Sequence, residues 1–324
     1  RDGTASEAIK SLPYRKQGLA ARATYSYGDR YFAEFNIGYN GSENFPKGQR
    51  FGIFPAGAIG YLISNEKFWQ NSSINNIVSM LKLKGSMGLV GAEALPDNRR
   101  YAYLTIVGDG LGGYIFGPNE TNYGGTGENQ YGVVNLTWEK GLKSNIGIQA
   151  EFFGGAVSLD VDYFYEKRKD ILIQRNSLPG IAGINDMPFA NLGQMENKGI
   201  DGTIEYNKSI RDFSMRLYAN GTFTHNTVFD QDQPDYQFKY QNRVGKRHNQ
   251  QFGLIALGYF NDEAEIANSP KQQFGTVRPG DVKYLDVNGD GIVDSNDQVA
   301  IGYSSIPEIV YGFGTQLMWK GFDV

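Results

Sequence analysis

Apolar and polar residues alternate along this chain with a period of two. Leu19, Ala21, Ala23, Tyr25 and Tyr27 take one parity; Ala20, Arg22, Thr24 and Ser26 take the other. After Gly28 and Asp29 the pattern resumes, with Tyr31, Ala33, Phe35, Ile37 and Tyr39 set against Phe32, Glu34, Asn36, Gly38 and Asn40. The contrast is sharpest where Val157, Leu159, Val161, Tyr163 and Tyr165 interleave with Ser158, Asp160, Asp162, Phe164 and Glu166. Successive side chains of a strand point to opposite faces, so this period predicts strands with one apolar and one wet face. Similar segments lie at 50–63, 80–91, 144–153, 197–207, 212–226 and 307–319.

A soluble sandwich buries its apolar faces against each other and keeps strands near five or six residues. A membrane barrel turns them to lipid, needs about 9–11 residues per strand, and places aromatics at both interfaces. The strands here are long. Tyr25, Tyr27 and Tyr31 cluster at one hairpin, and Tyr163, Tyr165 and Trp319 at other strand ends. Arg22, Glu34, Asp160, Asp162 and Arg216 on the second face suit a polar lumen. The predicted fold is an all-β antiparallel transmembrane barrel, of which the chain supplies nine strands and the start of a tenth. Loop lengths agree. Odd-to-even connections are Gly28–Asp29, 64–79, Gly154–Gly155, Asn207 to Asp212 and Lys320–Gly321, against 42–49, 92–143, 170–196 and 227–306 for the even-to-odd set. Short turns on one side and long loops on the other match the periplasmic and extracellular ends of outer-membrane barrels. The stretch 64–79 is the exception and is expected to hold a short helix.

Composition sharpens this picture. Glycine, at 42 of 324 residues, and the 21 Tyr and 20 Phe exceed what one water-soluble core requires. A net charge of −4 gives no basic footprint, so nucleic acid is not an expected partner. The absence of cysteine excludes disulfides and thiolate metal sites, and His225 and His248 are the only histidines. No apolar run approaches the length of about 18 residues that a transmembrane helix requires.

The densest chemistry is in DVNGDGIVDSND, residues 286–297. Asp286, Asn288, Asp290, Asp294 and Asp297 fall at positions 1, 3, 5, 9 and 12 of a calcium loop, Gly291 at the turn position 6, and Ile292 at 7, offering its carbonyl. Ca²⁺ wants six to eight oxygens, which such a loop supplies. Asp297 stands where an EF-hand has a bidentate Glu, so the pattern is closer to a dockerin-type loop. The competing account is an Asx-rich turn held by its own backbone. Asp160 and Asp162 read as a charged wall rather than a glycosidase pair, since nothing nearby marks a catalytic pocket; no enzyme activity is expected. The glycines of 108–113 and 123–132 lack the GK[ST] ending of a phosphate loop and read as a mobile extracellular loop. Tyr114, Phe116 and Tyr123 in that region are candidate contacts for a ligand or a partner.

The text itself carries a resemblance. YRKQGLAARATYSYGDRYFAEFNIGYNGSENFPKGQRFGIFPAGAIGYLIS, LKLKGSMGLVG, LTWEKGLKSNIGI, LDVDYFYEKRKDIL, MENKGIDGTIEYN, FGLIALGYFNDEAEIANSP and RPGDVKYLDVNGDGIVDSNDQVAIGYSSIPEIVYGFG occur in this order. They resemble the SusC/RagA-type TonB-dependent outer-membrane transporters. The resemblance implies a plugged barrel of the kind built from 22 strands. It further implies a Gram-negative outer membrane, TonB-energised import of glycans or peptides, and a SusD-like surface lipoprotein over the mouth. Trp138, Glu139 and Asn145 match the family's WE…N signature, for which a register and wall-packing role is expected.

On this reading residues 1–324 are one part of a barrel domain, and 227–306 form a long extracellular loop holding the calcium motif. The plug domain and TonB box are expected to lie outside the chain, which is read as a fragment. The alternative is a secreted β-rich adhesin or carbohydrate-binding module with a dockerin-like Ca²⁺ loop. It explains the loop and the aromatics but not the long two-faced strands.

Overall fold

The computed structural model describes residues 13–93, 95, 100–184 and 187–324. The strands in chain order are β1 (Lys16–Tyr27), β2 (Tyr31–Ser42), β3 (Phe51–Leu62), β4 (Val78–Ala92), β5 (Ile106–Phe116), β6 (Thr121–Gln130), β7 (Glu139–Phe152), β8 (Val157–Gln174), β9 (Phe189–Ile210) and β10 (Phe213–Asp230). Six short strands follow: β11 (Gln250–Gly253), β12 (Ala256–Tyr259), β13 (Lys271–Gln272), β14 (Val282–Tyr284), β15 (Ile292–Val293) and β16 (Val299–Ser304). The chain ends with β17 (Ile309–Trp319) and β18 (Phe322–Asp323).

Ten of these form one sheet in the order β1-β2-β3-β4-β7-β8-β9-β10-β17-β18, so the nine strands and the start of a tenth expected from the alternation are present. Each strand neighbours its predecessor in the wall, which is the meander a barrel requires. The register carries one parity across the sheet: Tyr25 faces Ala33, then Ile59, Gly85, Ile146, Tyr163 and Ile200. The other parity runs from Glu34 through Ala58, Ser86, Asn145 and Phe164 to Gly199. A slip of one residue would exchange the two faces of a strand, so the apolar pattern fixes this register.

Hairpin turns use the residues their backbone demands. Gly28 and Asp29 have φ of 57° and 49°, and Gly154 and Gly155 have φ of 69° and 88°. Positive φ at consecutive turn residues matches the twist of the flanking strands and favours Gly, Asn or Asp.

The strands outrun the predicted segments. β8 has 18 residues and β9 has 22, and they stay paired up to Gln174↔Phe189, which leaves 175–188 as the connection in place of the expected 170–196. The glycine-rich stretch expected to be a mobile loop is a ribbon of β5 against β6, with register shifts that interrupt its regularity. Backbone pairing asks nothing of side chains, so glycine-rich text with little side-chain periodicity still forms a ladder.

Residues 226–228 and 233–307 form a compact unit of their own. Its pairs are β11 with β16, β12 with β14, and the parallel β13 with β15. Val293 and Phe260 are buried in it. The stretch expected to be a long loop therefore has its own small folded core.

Candidate functional site

The parity that begins at Tyr25 is the apolar face of the sheet. Leu19 and Ile59 are each 72% exposed and Phe313 is 82% exposed, with Phe35, Ile37 and Ile146 also open. An apolar band this broad on a monomer calls for an apolar partner. Tyr31 and Tyr39 bracket Phe35 on β2, and Tyr31 stacks on Tyr61 of β3 with ring centroids 5.0 Å apart. Eight residues of tilted strand span roughly 20–25 Å, the height of a lipid-facing band between aromatic girdles.

The opposite face is wet and charge-paired. Arg22 donates to Glu34 at 2.5 Å, and Asn36 donates to the same carboxylate at 2.7 Å. Lys84 bridges Asp160 at 2.7 Å and Asp162 at 2.8 Å, and Arg216 donates to Glu205 at 2.6 Å. Asp160 and Asp162 thus serve as the charged wall expected of them, clamped by one ammonium. They line a shallow recess with Glu151, Asp201 and Glu205. Cross-strand pairs of opposite charge fix neighbouring strands while leaving the face hydrated.

At the long-loop end the connections fold into a core. Phe45, Ala102, Val133, Leu136 and Trp138 are buried together, with Phe54, Leu172 and Phe189 packed against them. Trp138 lies 4.8 Å from Phe45 and 5.5 Å from Phe54, ring centroid to centroid, and its indole N–H donates to the Arg50 carbonyl at 3.1 Å. Phe54 belongs to the wet parity, since its register partner is Gly38. A Cβ at Gly91 would come within 2.0 Å of the Phe54 ring, so glycine there makes room for it. Glu139, almost fully buried, accepts from the Arg168 Nε at 2.7 Å. Asn191 exchanges two hydrogen bonds of 3.1 Å with the Thr137 backbone. Glu139, on β7, ties that strand to β8 through Arg168 as the wall role requires, whereas Trp138, one residue before β7, packs the core of the loops and not the wall, because its ring meets Phe45 from a distant connection. Asn145, exposed at mid-strand between Ser86 and Phe164, stands apart from them. Sequence reasoning missed Phe45, Leu136 and Asn191, whose roles come from contacts between distant loops.

A second clamp holds the base of the 175–188 connection. Asp232 accepts from Arg175 Nε at 2.8 Å, from the Asn176 backbone at 2.9 Å and from the Ser177 hydroxyl at 2.9 Å. Burial works against the charge, but the bonds from Arg175 and Ser177 outweigh it and hold the carboxyl below the usual range. A depressed folded-state pKa stabilises above the unfolded value, about 3.9, and the contribution is lost as pH falls through the folded value. Acidification is therefore expected to raise hydrogen exchange of 175–178 in the wild type below about pH 4, and Asp232→Asn should make that rate high and pH-independent after correction for intrinsic exchange. Equal protection in both proteins at neutral pH would refute the clamp.

Within the compact unit, 286–297 is knotted by its own side chains. Asp286 accepts from Gly289 N at 2.7 Å and Gly291 N at 2.8 Å, and Asp290 from Ile292 N at 2.8 Å. Asn288 accepts from Asp290 N at 3.0 Å, and Asp294 from Asn296 N at 2.7 Å. Asp297, fully buried, accepts from Val287 N at 2.7 Å and Asp294 N at 2.8 Å. The Tyr240 hydroxyl donates to the Asn296 carbonyl at 2.7 Å, and burial, then the charges of Asp297, Asp290, Asp286 and Asp294, raise its pKa. The five sequence-predicted oxygen-bearing side chains and Ile292 are thus gathered in one short turn. Among the described residues no three His, Asp or Glu side chains form a metal-holding group, and each of the four carboxylates accepts at least one backbone N–H.

Tyr114, Phe116 and Tyr123 meet on the β5–β6 ribbon, Phe116 lying 5.0 Å from Tyr114 and 5.9 Å from Tyr123. All three are more than half exposed. Their planes are inclined at 49° and 66°, which makes a knuckle of rings rather than a flat platform.

Residues 8–307 match the family model for the TonB dependent receptor-like β-barrel. The chain belongs to this family. It is 27% identical over 306 residues to the TonB-dependent receptor SusC of Bacteroides thetaiotaomicron, covering 93% of this chain and 30% of that protein. It is 27% identical over 320 residues to the TonB-dependent receptor P26 of Formosa agariphila, with the same coverage. A structure of the RagAB peptide transporter superposes with a TM-score of 0.74 at 21% identity, over 96% of this chain and 32% of that one, which shows a shared fold. The chain thus spans about a third of the length of the relatives it matches. The SusC/RagA-type resemblance read from the sequence is borne out. Membership places the chain in a β-barrel of the Gram-negative outer membrane and sets aside the secreted-module alternative.

Proposed function

We propose that the protein containing this chain is a TonB-dependent importer of the Gram-negative outer membrane that works with a SusD-like surface lipoprotein on glycans or peptides. The observation that carries the reading is the two-faced wall: an unbroken apolar band outside and paired charges inside, in a chain that belongs to this barrel family. A charge-paired wall stays hydrated and gives passing cargo many weak polar contacts instead of one trap. The mouth core around Trp138 holds the loops from which a lipoprotein lid is built outward. The energy comes from TonB, acting through a plug that the family supplies elsewhere in the protein. Tyr114, Phe116 and Tyr123 provide an exposed contact for lipoprotein or cargo, and their inclined rings favour insertion into an apolar cleft over stacking on a sugar ring. Deleting the gene should abolish growth on one class of oligosaccharide or peptide, and removing the TonB box alone should reproduce the defect. Normal growth of both strains on every such source would refute the reading.

We propose further that the acidic turn takes a structural Ca²⁺, held by Asp286, Asn288, Asp290, Asp294 and Asp297 with the Ile292 carbonyl. Calcium supplies a charge that offsets carboxylate repulsion and cross-links the turn. Oxygens that accept one N–H retain lone pairs, so the existing bonds pre-order the turn for a cation. The short Asp297 argues for weak binding, with a Kd on the order of 10⁻⁴–10⁻³ M as in extracellular modules. Terbium luminescence on the purified transporter, displaced by Ca²⁺, should report the site, and Asp286→Ala should abolish it while leaving the barrel folded. Adding Ca²⁺ should also slow proteolysis across 286–297. No luminescence, with proteolysis indifferent to Ca²⁺ and chelator, would leave the turn as a self-sufficient Asx knot.

A further inference from the structure

Among the described residues, the connection between β3 and β4 is the one long segment at the short-turn end of the sheet. It comprises a 3₁₀ turn at Ile63–Asn65, a helical turn at Lys67–Gln70 and a second 3₁₀ turn at Ser73–Asn76. Its side of the wall is fixed by Glu66, whose carboxylate accepts from the Tyr31 hydroxyl at 2.8 Å, from Tyr61 at 3.3 Å and from Arg30 at 2.8 Å. Tyr31 and Tyr61 are register partners on the apolar, lipid-facing parity. The segment therefore folds over the outside of the rim, and not into the lumen. Asn65 donates to the Asp29 carbonyl at 2.8 Å, and the Trp69 indole donates to the Val78 carbonyl at 3.1 Å, which pins both ends.

Pinned this way, the segment presents its apolar side chains outward. Phe68 is 63% exposed, Ile74 51% and Ile77 54%, although a connection in water is built mainly from polar residues. Phe153 of the neighbouring turn, whose N–H donates to the Ile77 carbonyl at 2.8 Å, is 63% exposed as well. Four bulky apolar groups thus continue the aromatic girdle beyond the last strand residues. Short amphipathic segments with Phe, Ile and Trp on one side and polar groups on the other lie in the headgroup region of a bilayer.

We propose that residues 63–77 form an interfacial foot, with Phe68, Ile74 and Ile77 inserted among the glycerophospholipids of the periplasmic leaflet and the Glu66–Tyr31–Tyr61 clamp setting its depth. The occupant is lipid, because the segment adjoins the lipid-facing band without a break and is tied to that band's own tyrosines. The proposal rests on the outer-membrane barrel reading. The foot broadens the girdle at one place on the rim and anchors the height of the wall there.

The test uses the full-length transporter, free of other cysteines, in vesicles of phosphatidylethanolamine and phosphatidylglycerol. Single nitroxide labels are attached to Phe68→Cys, Ile74→Cys and Ile77→Cys, with Asn71→Cys as a water-side control and Phe35→Cys as a control in the band. Power saturation compares collisions with dissolved oxygen and with a water-soluble nickel chelate. Labels at 68, 74 and 77 should favour oxygen, and the label at 71 should favour nickel. Glu66→Ala should shift 74 toward nickel while 35 is unmoved. Nickel preference at 68, 74 and 77 with oxygen preference at 35 would overturn the foot and leave the barrel standing. Nickel preference at 35 as well would overturn the barrel reading. Shielding of the three sites from both reagents would show a protein cover and also overturn the proposal. Hydroxyl-radical labelling of unsubstituted protein in the same vesicles reads Phe68 directly, so the outcome does not depend on the variants folding.

Discussion

Phe35→Arg should destabilise the assembled barrel by about 2–4 kcal/mol, whereas Asn36→Arg, one residue along the same strand, should be tolerated. Phe35 lies halfway between the girdle residues Tyr31 and Tyr39 and is half exposed on the apolar parity, which puts it near the bilayer midplane. An arginine on the lipid face there costs about 2–4 kcal/mol, falling toward zero near the interfaces. Loss of the phenyl contact with lipid adds to that. Asn36 faces the lumen beside Glu34, to which it donates at 2.7 Å, so a guanidinium at 36 gains a carboxylate neighbour and remains hydrated. The check is urea unfolding of the full-length protein in phospholipid vesicles, read by loss of heat-resistant mobility. Equal destabilisation by the two variants would mean that the faces have been assigned wrongly, and with them the lumen.

The second large effect is local. Trp138→Ala should free the mouth loops while leaving the wall intact. The indole packs on Phe45 and Phe54 in the buried core and donates to the Arg50 carbonyl, so truncation leaves a cavity and removes one of the two hydrogen bonds to that carbonyl, which also accepts from the Ser42 N–H at 3.0 Å. Large-to-small changes of buried aromatics cost about 3–5 kcal/mol, and loss of one hydrogen bond adds about 0.5–1.5 kcal/mol. That exceeds what a small loop cluster can hold in reserve, so 42–50 and 100–138 should lose hydrogen-exchange protection together. Trp138→Phe, which keeps ring packing but not the N–H, should fall between. Protection in β2, β3 and β7 away from the mouth should be unchanged, since their ladders stand without the core. Unaltered exchange in both loops would show that Trp138 is not what joins them. In the transporter reading, the same variant should weaken lipoprotein association without reducing barrel yield.

The two predictions differ in how much of their basis was visible in the sequence. The faces of β1, β2 and β8 follow from alternation alone, because the strand period is two and a buried or lipid-facing side tolerates only one register. The turn at Gly28–Asp29 and the parity of short and long connections follow from residue chemistry in the same direct way. Strand length does not. β8 and β9 continue past the apolar band, where Leu172 and Phe189 pack against the mouth core and no period-two alternation marks the ladder. The β5–β6 ribbon escaped for the same reason: its glycines carry no pattern, and its pairing is made by the backbone.

The candidate sites divide along a similar line. The sequence alone determined the class of the protein: a two-faced β wall, the lumen charges Arg22, Glu34, Asp160, Asp162 and Arg216, and an oxygen-rich turn at 286–297. Each is a property of near neighbours, within a strand or a single turn, and near neighbours are what a sequence displays. Only the tertiary structure decided that Lys84 serves both aspartates, that Phe45 and Leu136 complete the core of Trp138, and that Glu66 ties the β3–β4 connection to the tyrosines of the apolar face. Most of those contacts join distant residues, from 35 positions apart for Tyr31 and Glu66 to 93 for Phe45 and Trp138, and nothing in the local pattern at either end encodes the other. Their geometry exists only once the register of several strands has been set, which makes it a property of the fold.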